Sequence, residues 1–215
     1  MSRIALVAGA TGLVGGHLLK QLLAFPVYGE VRVLGRRAPE QQHPKLHALV
    51  SDYSNLEQLL AQLRVDDVFC CLGTTLRKAG SKAAFEKVDY EYVLLLARAA
   101  KAAGARQFLV ISAAGTSERA TTFYSRVKAR MEKDVAAIGF NTTHILRPSL
   151  LLGARTESRP GERLGQLLSP LLAPLLSGPL KKYRPIEAAD VASAMLGLAL
   201  KDETGVHVHH LPLAD

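Results

Sequence analysis

Short apolar runs alternate with segments of helical periodicity along almost the whole of this 215-residue chain. The runs are nearly continuous in apolar residues, which is typical of strands in a sheet covered by helices on both faces. This alternation predicts an α/β architecture with a mainly parallel, doubly wound sheet. The predicted strands cover residues 3–8, 31–35, 46–50, 67–72, 107–112, 143–147 and 206–211. The predicted helices cover residues 13–24, 55–63, 81–104, 122–138 and 188–200.

One segment, residues 152–185, breaks this alternation. It holds five prolines, four glycines and a leucine-rich stretch, so it is too apolar for a linker and too rich in proline for one long helix. We interpret it as short helices that form a lobe or lid beside the sheet. A chain of this length predicts one domain, and we therefore place the lobe within a single domain that spans residues 1–215.

The chain is strongly basic. It has 27 lysines and arginines against 19 aspartates and glutamates, which gives a formal net charge of +8. A basic surface attracts polyanions, a class that includes nucleic acids, anionic membranes and phosphorylated small molecules. The helix predicted at 122–138 is rich in basic residues, but no aromatic platform or nucleic-acid motif accompanies it. We therefore expect no nucleic-acid partner, and the charge alone does not decide between an anionic membrane surface and a phosphorylated small molecule.

The two cysteines, Cys70 and Cys71, are adjacent within an apolar run. Neighbouring residues almost never form a structural disulfide, so we expect reduced thiols and a reducing compartment. Glycines interrupt the apolar start of the chain, unlike a secretory signal, and no apolar run reaches the roughly 18 residues of a membrane-spanning helix. These features predict a cytoplasmic protein without a membrane span.

Two histidines, His207 and His209, share one face of the last predicted strand. Two imidazoles at this spacing can bind a metal ion, but no cysteine or acidic residue stands at a matching spacing. We therefore predict an ordinary edge strand there, and no metal site.

Residues 9–15 read Gly-Ala-Thr-Gly-Leu-Val-Gly and join the first predicted strand to the first predicted helix. Gly9 and Gly12 allow a tight turn and a close approach of backbone to phosphate, and Gly15 lets the helix pack on the strand. The helix N-terminus presents N–H groups to a pyrophosphate. This order of elements predicts a dinucleotide-binding domain of Rossmann type. The cofactor-binding residues predicted in this glycine loop are Gly9, Thr11, Gly12, Leu13, Val14 and Gly15.

The residues after the second strand indicate which dinucleotide is bound. An NAD site usually has an acidic residue there to hold the ribose 2′-hydroxyl, whereas this chain has Arg36 and Arg37. Two guanidinium groups suit a 2′-phosphate because they form charge-assisted, bidentate hydrogen bonds. The pair favours NADP over NAD, and an ordinary basic loop is the alternative.

Further cofactor contacts are predicted after the third and fourth strands. Asp52, followed by Tyr53, can accept a hydrogen bond from the adenine amino group, or it can cap a turn. Gly73, between Leu72 and Thr74, lets the backbone pass close to the cofactor ribose. The cofactor-binding residues predicted after these two strands are Asp52, Tyr53, Leu72, Gly73 and Thr74.

Tyr124 and Lys128 lie four residues apart in the helix predicted at 122–138, so they share one helical face. A nearby ammonium group lowers the pKa of a phenol, which suits a tyrosine to proton transfer near neutral pH. We predict that the two residues are catalytic. A surface tyrosine beside a solvated lysine is the alternative.

The glycine loop, the arginine pair and the Tyr124–Lys128 spacing together resemble the short-chain dehydrogenase/reductase superfamily, in its extended or atypical branch. The resemblance is closer to the Tat-interacting-protein (CC3-type) oxidoreductases and their bacterial relatives. It is based on the segments CCLGTT, KAG, VDYEYVL, YSRVK, ILRPSLLL and ESRPGE, and it covers nearly the whole chain from Gly9 onward.

The resemblance implies an oxidoreductase that transfers hydride between NADP and a small carbonyl or alcohol substrate. It implies that Tyr124 is the general acid or base, and that Lys128 binds the nicotinamide ribose and tunes the tyrosine. It also implies that the backbone of Pro148, Ser149 and Leu150 flanks the nicotinamide.

The chain departs from the superfamily pattern after the fifth strand. Members use a serine or threonine there to hold the substrate carbonyl, and Ser112 is therefore the third predicted catalytic residue. In extended members the working hydroxyl is often one or two positions further on, where this chain has Ala113 and Ala114. Thr116 and Ser117 are the available substitutes.

The long helix predicted at 81–104 has two further features. Asp89 stands where many members have an asparagine that holds a proton-relay water. Leu94, Leu95 and Leu96 suit either a homodimer interface or packing on the sheet. An NADPH-binding sensor or scaffold without turnover is the alternative to an enzyme, and the departure at positions 113 and 114 favours it.

Overall fold

A computed structural model of the protein describes residues 2–153, 184–201 and 203–212. The central sheet contains all seven predicted strands, and every neighbouring pair is parallel. In chain order the strands are β1 (Arg3–Ala8), β2 (Tyr28–Gly35), β3 (Leu46–Val50), β4 (Asp67–Cys70), β5 (Gln107–Ile111), β6 (Thr142–Pro148), β7 (Leu151–Leu152), β8 (Ile186–Glu187) and β9 (Gly205–Leu211).

The strand order in the sheet is β3-β2-β1-β4-β5-β6-β9, with β7 and β8 paired separately. The chain therefore builds outward from β1 to β3, returns to the centre, and builds outward again from β4 to β9. This reversal between β1 and β4 confirms the predicted doubly wound sheet, and folds of this kind bind ligands at the reversal point.

Helices cover both faces of this sheet. They are α1 (Leu13–Ala24), α2 (Leu56–Ala61), α3 (Leu76–Ala79), α4 (Lys82–Glu86), α5 (Tyr92–Ala102), α6 (Phe123–Ala136) and α7 (Ala188–Ala199), and a π-helical turn (Lys87–Glu91) joins α4 to α5. In the described part of the chain, no helix is long and apolar enough to cross a membrane.

Alternate residues of the inner strands enter two separate cores. In β1, Ala5 and Val7 pack with α1 and α7 on one face. Leu6 and Ala8 pack with α2, α5 and α6 on the other face. Successive side chains of a strand point to opposite faces, so a run with no polar residue is what a sheet buried on both faces requires.

The long helix predicted at 81–104 forms with one interruption. Ser81 caps its start, where its Oγ accepts a hydrogen bond from Ala84 N, and Gly104 follows its end with a φ of +87°. Between these ends the π-helical turn adds a residue to the helical repeat. A π turn of this kind changes which side chains face the core, and it is common at functional sites.

Three parts of the fold were not predicted: the start of β2, the short helix α3 and the pairing of β7 with β8. β2 begins at Tyr28, three residues before the predicted start. Tyr28 pairs with Arg3 on β1, and its buried hydroxyl donates a hydrogen bond to Asp67 on β4 at 2.7 Å. β7 and β8 form a two-residue parallel pair that ties position 151 to position 186. Residues 154–183 of the predicted lobe lie outside the described residues.

Candidate functional site

The carboxyl ends of the central strands meet at one edge of the sheet. Ala8 at the end of β1 pairs with Cys70 on β4, and Cys70 pairs with Val110 on β5. β5 in turn ends beside Leu146 of β6. The predicted site residues follow these strand ends. The fold therefore brings three loops to the same edge: the glycine loop, the loop after β4 that contains Leu72, Gly73 and Thr74 (the Gly73 loop), and the loop after β5.

The glycine loop has no room for side chains at two positions. Gly9 has a φ of +84°, and a Cβ there would lie 2.5 Å from the carbonyl oxygen of Cys71. A Cβ at Gly15 would lie 2.2 Å from the carbonyl oxygen of Gly9. Gly12 closes the turn, because its N–H donates to the same oxygen at 2.9 Å. The loop therefore presents backbone without side chains at these positions (the backbone cradle), as the spacing predicted.

The N-terminus of α1 fits an anion. Gly12 is its N-cap, no side chain among the described residues caps it, and its first turn contains no acidic residue. The first N–H groups of a helix have no partner within the helix, and they attract negative charge. Thr11 is exposed beside this end, Val14 is buried, and Leu13 packs against the position of Gly153.

The predicted adenosine end contains a stacked pair of tyrosines. Tyr53 is buried after β3 with a φ of +74°, and its ring stacks on Tyr92 with centroids 4.6 Å apart. A positive φ is unusual for a bulky residue and marks a backbone held in place by its surroundings. Arg36 and Arg37 are exposed after β2. Burial raises the pKa of Tyr53 above its ordinary value, and the nearby charge of Arg36 opposes this rise. Tyr92 was not singled out from the sequence as a site residue, and the structure places its ring against Tyr53.

Asp52 caps a turn beside this pair. Its Oδ1 accepts hydrogen bonds from the backbone N–H and the hydroxyl of Ser54, at 2.9 and 2.6 Å. These bonds lower the pKa of the exposed Asp52 carboxyl. The turn is one of the two alternatives that the sequence left open, and the adenine contact stays a prediction.

The Gly73 loop lies against a buried carboxylate. Thr74 N donates to Asp89 Oδ2 at 2.8 Å, and a Cβ at Gly73 would lie 3.4 Å from Asp89 Oδ1. Leu72 is half-buried in the core beside this turn. The sequence singled out Asp89 as a departure from the superfamily, but the contact with Thr74 was not predicted.

Lys128 is buried beside the same carboxylate, with 3% of its side chain exposed. Its Nζ lies 2.8 Å from Asp89 Oδ1 and donates to the carbonyl oxygen of Ile111 at 3.4 Å. Burial lowers the pKa of Lys128, but the charges of Asp89 and Tyr124 outweigh burial and raise this pKa above its ordinary value. Tyr124 lies one turn earlier on α6, half-buried, with its ring centroid 5.4 Å from that of Phe85.

The predicted substrate hydroxyl is enclosed by its own loop. Ser112 is buried, and its Oγ lies 3.5 Å from Thr116 Oγ1. Thr116 is also buried and donates to the carbonyl oxygen of Ala113 at 2.7 Å. Ser117 is exposed, and its Oγ accepts a hydrogen bond from Arg119 N. The catalytic role of Ser112 stays a prediction.

The segment after β6 is fixed by backbone hydrogen bonds on three sides. Ala114 N donates to the carbonyl oxygen of Pro148 at 2.8 Å, and Ser149 N donates to that of Leu211 on β9 at 3.2 Å. Ile186 N donates to the carbonyl oxygen of Leu150 at 3.0 Å. The backbone predicted to flank the nicotinamide is therefore held between the loop after β5, β9 and β8.

The described residues contain no group of three or more histidine, cysteine or acidic side chains that could hold a metal ion. His207 and His209 lie on β9, which is the edge strand of the sheet. Both cysteines are free thiols, and burial raises the pKa of Cys70 to about 12.

Comparisons with known proteins agree with this geometry. The model of the NAD dependent epimerase/dehydratase family matches residues 5–214. The chain is 36% identical over 208 residues to the protein fmp52, mitochondrial, of Aspergillus clavatus, covering 94% of this chain and 88% of that protein. It is 38% identical over 162 residues to the protein HTATIP2 of Rattus norvegicus, covering 74% of this chain and 66% of the rat protein, just under two thirds.

Solved structures share the fold. One is MoeE5 in complex with UDP-glucuronic acid and NAD, with a TM-score of 0.72 and 19% identity, covering 95% of this chain and 75% of that one. Another is UDP-glucuronic acid 4-epimerase from Bacillus cereus in complex with NAD, with a TM-score of 0.72 and 16% identity, covering 99% and 78%. The family match and the relatives confirm the resemblance: this chain belongs to the NAD dependent epimerase/dehydratase family, as an atypical short-chain dehydrogenase/reductase related to the Tat-interacting protein.

Proposed function

We propose that this protein is an NADP-dependent oxidoreductase that transfers hydride between the nicotinamide and a small carbonyl or alcohol substrate. The observation that carries the proposal is the buried ammonium of Lys128, one helical turn from Tyr124 and beside the Gly73 loop. This pair lies at the same sheet edge as the glycine loop. A buried charged lysine has a high cost of desolvation, so its retention beside a tyrosine at a ligand-binding edge favours a chemical role.

The chain's own residues fit a dinucleotide phosphate. The bare backbone at Gly9 and Gly15 and the N-terminus of α1 would hold the pyrophosphate. Arg36 and Arg37, exposed at the end of β2, would hold the 2′-phosphate of NADP. When bound, the cofactor supplies or accepts the hydride.

The proton chemistry would belong to the protein. The Tyr124 hydroxyl would give a proton to the substrate oxygen during reduction, or take it during oxidation. Lys128 would keep a positive charge near this phenol during the proton transfer. Ser112 or Thr116 would orient the substrate oxygen after a small rearrangement of their loop.

A fluorescence titration with NADPH and NADH tests the cofactor part of the proposal. We expect the wild-type protein to bind NADPH more tightly than NADH. The double variant Arg36→Ala/Arg37→Ala should lose about ten- to a hundredfold in NADPH affinity and little in NADH affinity, because it lacks charge-assisted bonds to the 2′-phosphate. Lys20→Ala/Arg98→Ala removes the same charge from exposed positions elsewhere and should leave the preference intact. Equal binding of the two nucleotides by the wild type would disprove the NADP preference.

A second candidate function is an NADPH-binding sensor or scaffold without turnover. The burial of Ser112 and Thr116 favours it, because the contacts given for the two hydroxyls lie within their own loop. A screen of carbonyl substrates with NADPH separates the two functions. An oxidoreductase consumes NADPH with at least one substrate class, whereas a sensor shows a partner affinity that changes with NADPH and no turnover.

We also propose a cytoplasmic location, on the basis of the two free cysteines. The relative from Aspergillus clavatus is named as a mitochondrial protein. Fractionation of cells that express the tagged protein would decide between the two compartments.

A further inference from the structure

The Asp89–Lys128 pair joins three elements at the base of the proposed nucleotide site. We propose that Asp89 is a positioning residue that fixes the Lys128 ammonium and the Gly73–Thr74 backbone in one arrangement. The inference rests on the proposed function, because it concerns how Lys128 is held where the cofactor would bind. It also assigns a role to the residue at which this chain departs from the superfamily.

The π-helical turn places this carboxylate inside the protein. Asp89 is the middle residue of the turn Lys87–Glu91 and is 1% exposed. Charged side chains are almost never buried to this degree unless they are paired. The π turn is therefore the local change in helix geometry that brings Asp89 to its partners.

The two oxygens of Asp89 have separate partners. Oδ2 accepts a hydrogen bond from Thr74 N at 2.8 Å, so it anchors the loop that follows β4. Oδ1 lies 2.8 Å from Lys128 Nζ, but within the described part of the chain it accepts no well-directed hydrogen bond. This second contact is a buried ion pair between the carboxylate and the ammonium. One side chain thus sets the distance between the loop and the ammonium.

A carboxylate and an amide would act differently at this position. The titratable groups facing Lys128 are Asp89 from the π turn, Tyr124 on α6 and Cys70 on β4. Of these, Asp89 supplies the largest opposing charge. With an asparagine there, burial would dominate, and the lysine would lose its proton within the range of an ordinary assay. Asp89 therefore keeps the ammonium charged and in place.

The Asp89→Asn variant tests this directly, and Asp134→Asn is its matched control. Asp134 is a half-buried aspartate on α6 that accepts a hydrogen bond from the hydroxyl of Tyr90 on the π turn. Its substitution removes one negative charge from a residue that contacts neither Asp89 nor Lys128. Two readouts are followed from pH 6 to pH 10. They are the Lys128 signal in NMR spectra of protein labelled with 13C at lysine Cε, assigned with Lys128→Met, and the affinity for NADPH.

In the wild type and in Asp134→Asn, we expect the Lys128 signal to stay that of a charged lysine throughout this range. In Asp89→Asn, the Lys128 signal should titrate within this range. The loss of NADPH affinity between pH 7 and pH 9 should then be about ten times larger in this variant than in the wild type. An unchanged Lys128 titration in Asp89→Asn would overturn the inference. If the wild type does not bind NADPH, the proposed function fails, while the NMR titration still tests the pair by itself.

Stability measurements cover the case in which Asp89→Asn folds poorly. Each single variant, Asp89→Asn or Lys128→Met, leaves one buried charge without its partner, whereas the double variant leaves neither. We expect the double variant to melt at a higher temperature than either single variant. A double variant whose melting temperature falls by the sum of the two single losses would show that the residues act independently and would overturn the inference.

Discussion

The two halves of the candidate site are built in different ways. The glycine loop works through backbone: at Gly9 and Gly15 a single added carbon would collide with a carbonyl oxygen. The other half works through side chains, and Asp89, Tyr124 and Lys128 come from a π turn and a helix that are far apart in the sequence. The first half is encoded in seven consecutive residues. The second depends on the completed fold, so loss of the Tyr124 hydroxyl should remove its chemistry without loss of nucleotide binding.

Removing the phenol of Tyr124 should have the largest effect. With a substrate found in the NADPH screen, Tyr124→Phe should lower kcat by about 10²–10⁴-fold, because the proton donor is lost. NADPH affinity should stay nearly unchanged, because the glycine loop is intact. Steady-state kinetics and a fluorescence titration measure the two quantities. Tyr90→Phe, on the π turn, is the control and should keep its activity; full turnover by Tyr124→Phe would exclude the proposed mechanism.

A single carbon added to the backbone half should reduce both stability and binding. Gly15→Ala places its Cβ 2.2 Å from the carbonyl oxygen of Gly9, so the loop and α1 must separate. We expect a loss of about 1–3 kcal/mol in the free energy of unfolding, together with weak NADPH binding. Urea denaturation gives the first value and titration the second.

The neighbouring glycine provides the control for this substitution. A Cβ at Gly16 has its nearest contact at 3.5 Å, which is ordinary van der Waals distance. Gly16→Ala should therefore be neutral or stabilise the helix by about 0.5–1 kcal/mol. Similar losses of stability and NADPH affinity in the two variants would mean that close packing against Gly9 is not the reason for the glycine at position 15.

A histidine cluster lies outside both halves. His144 on β6 is buried, and its Nδ1 shares a hydrogen bond with Nε2 of His209 on β9, at 3.0 Å. Burial, followed by the charges of His209 and His207, lowers the pKa of His144 to about 4. The folded protein therefore resists a proton that the unfolded chain accepts below a pKa of about 6.5.

The sign of the pH dependence follows from this lowered pKa. The contribution of His144 to stability is complete above pH 6.5 and is lost as the pH falls from there toward 4. We expect a loss of about 1–3 kcal/mol across this window, and a smaller loss in His144→Gln. Urea denaturation at pH 7 and pH 5 measures it, with His17→Gln on the exposed face of α1 as the control. NADPH affinity should be the same in all three proteins at pH 7, and a change in His144→Gln would show that the edge of the sheet is coupled to the site.

Most of the central sheet could be predicted from the sequence, because its strands are apolar runs that stand out individually. The start of β2 could not, since Tyr28 joins the strand through a hydrogen bond to Asp67, 39 positions away. The pairing of β7 with β8 was also missed, because two residues are too short a segment to show a period.

In the site as well, features that depend on neighbours in the chain could be predicted, and contacts between distant residues could not. The glycine loop was predicted from spacing, since its geometry depends only on neighbours in the chain. The spacing of Tyr124 and Lys128 was also visible, but the partner of Lys128 was not. A π turn has no sequence signature, so the contacts of Asp89 with Thr74 and Lys128 could be seen only in the fold.

The short pairing of β7 with β8 affects how this architecture can diversify. Leu151 pairs with Ile186, so two points that are 35 positions apart in the chain are held side by side. A stretch anchored in this way can be lengthened, shortened or exchanged without moving a strand of the central sheet, because the entropy of loop closure rises only slowly with length. Insertions and deletions between these two points should therefore be tolerated while the glycine loop and the buried lysine keep their positions.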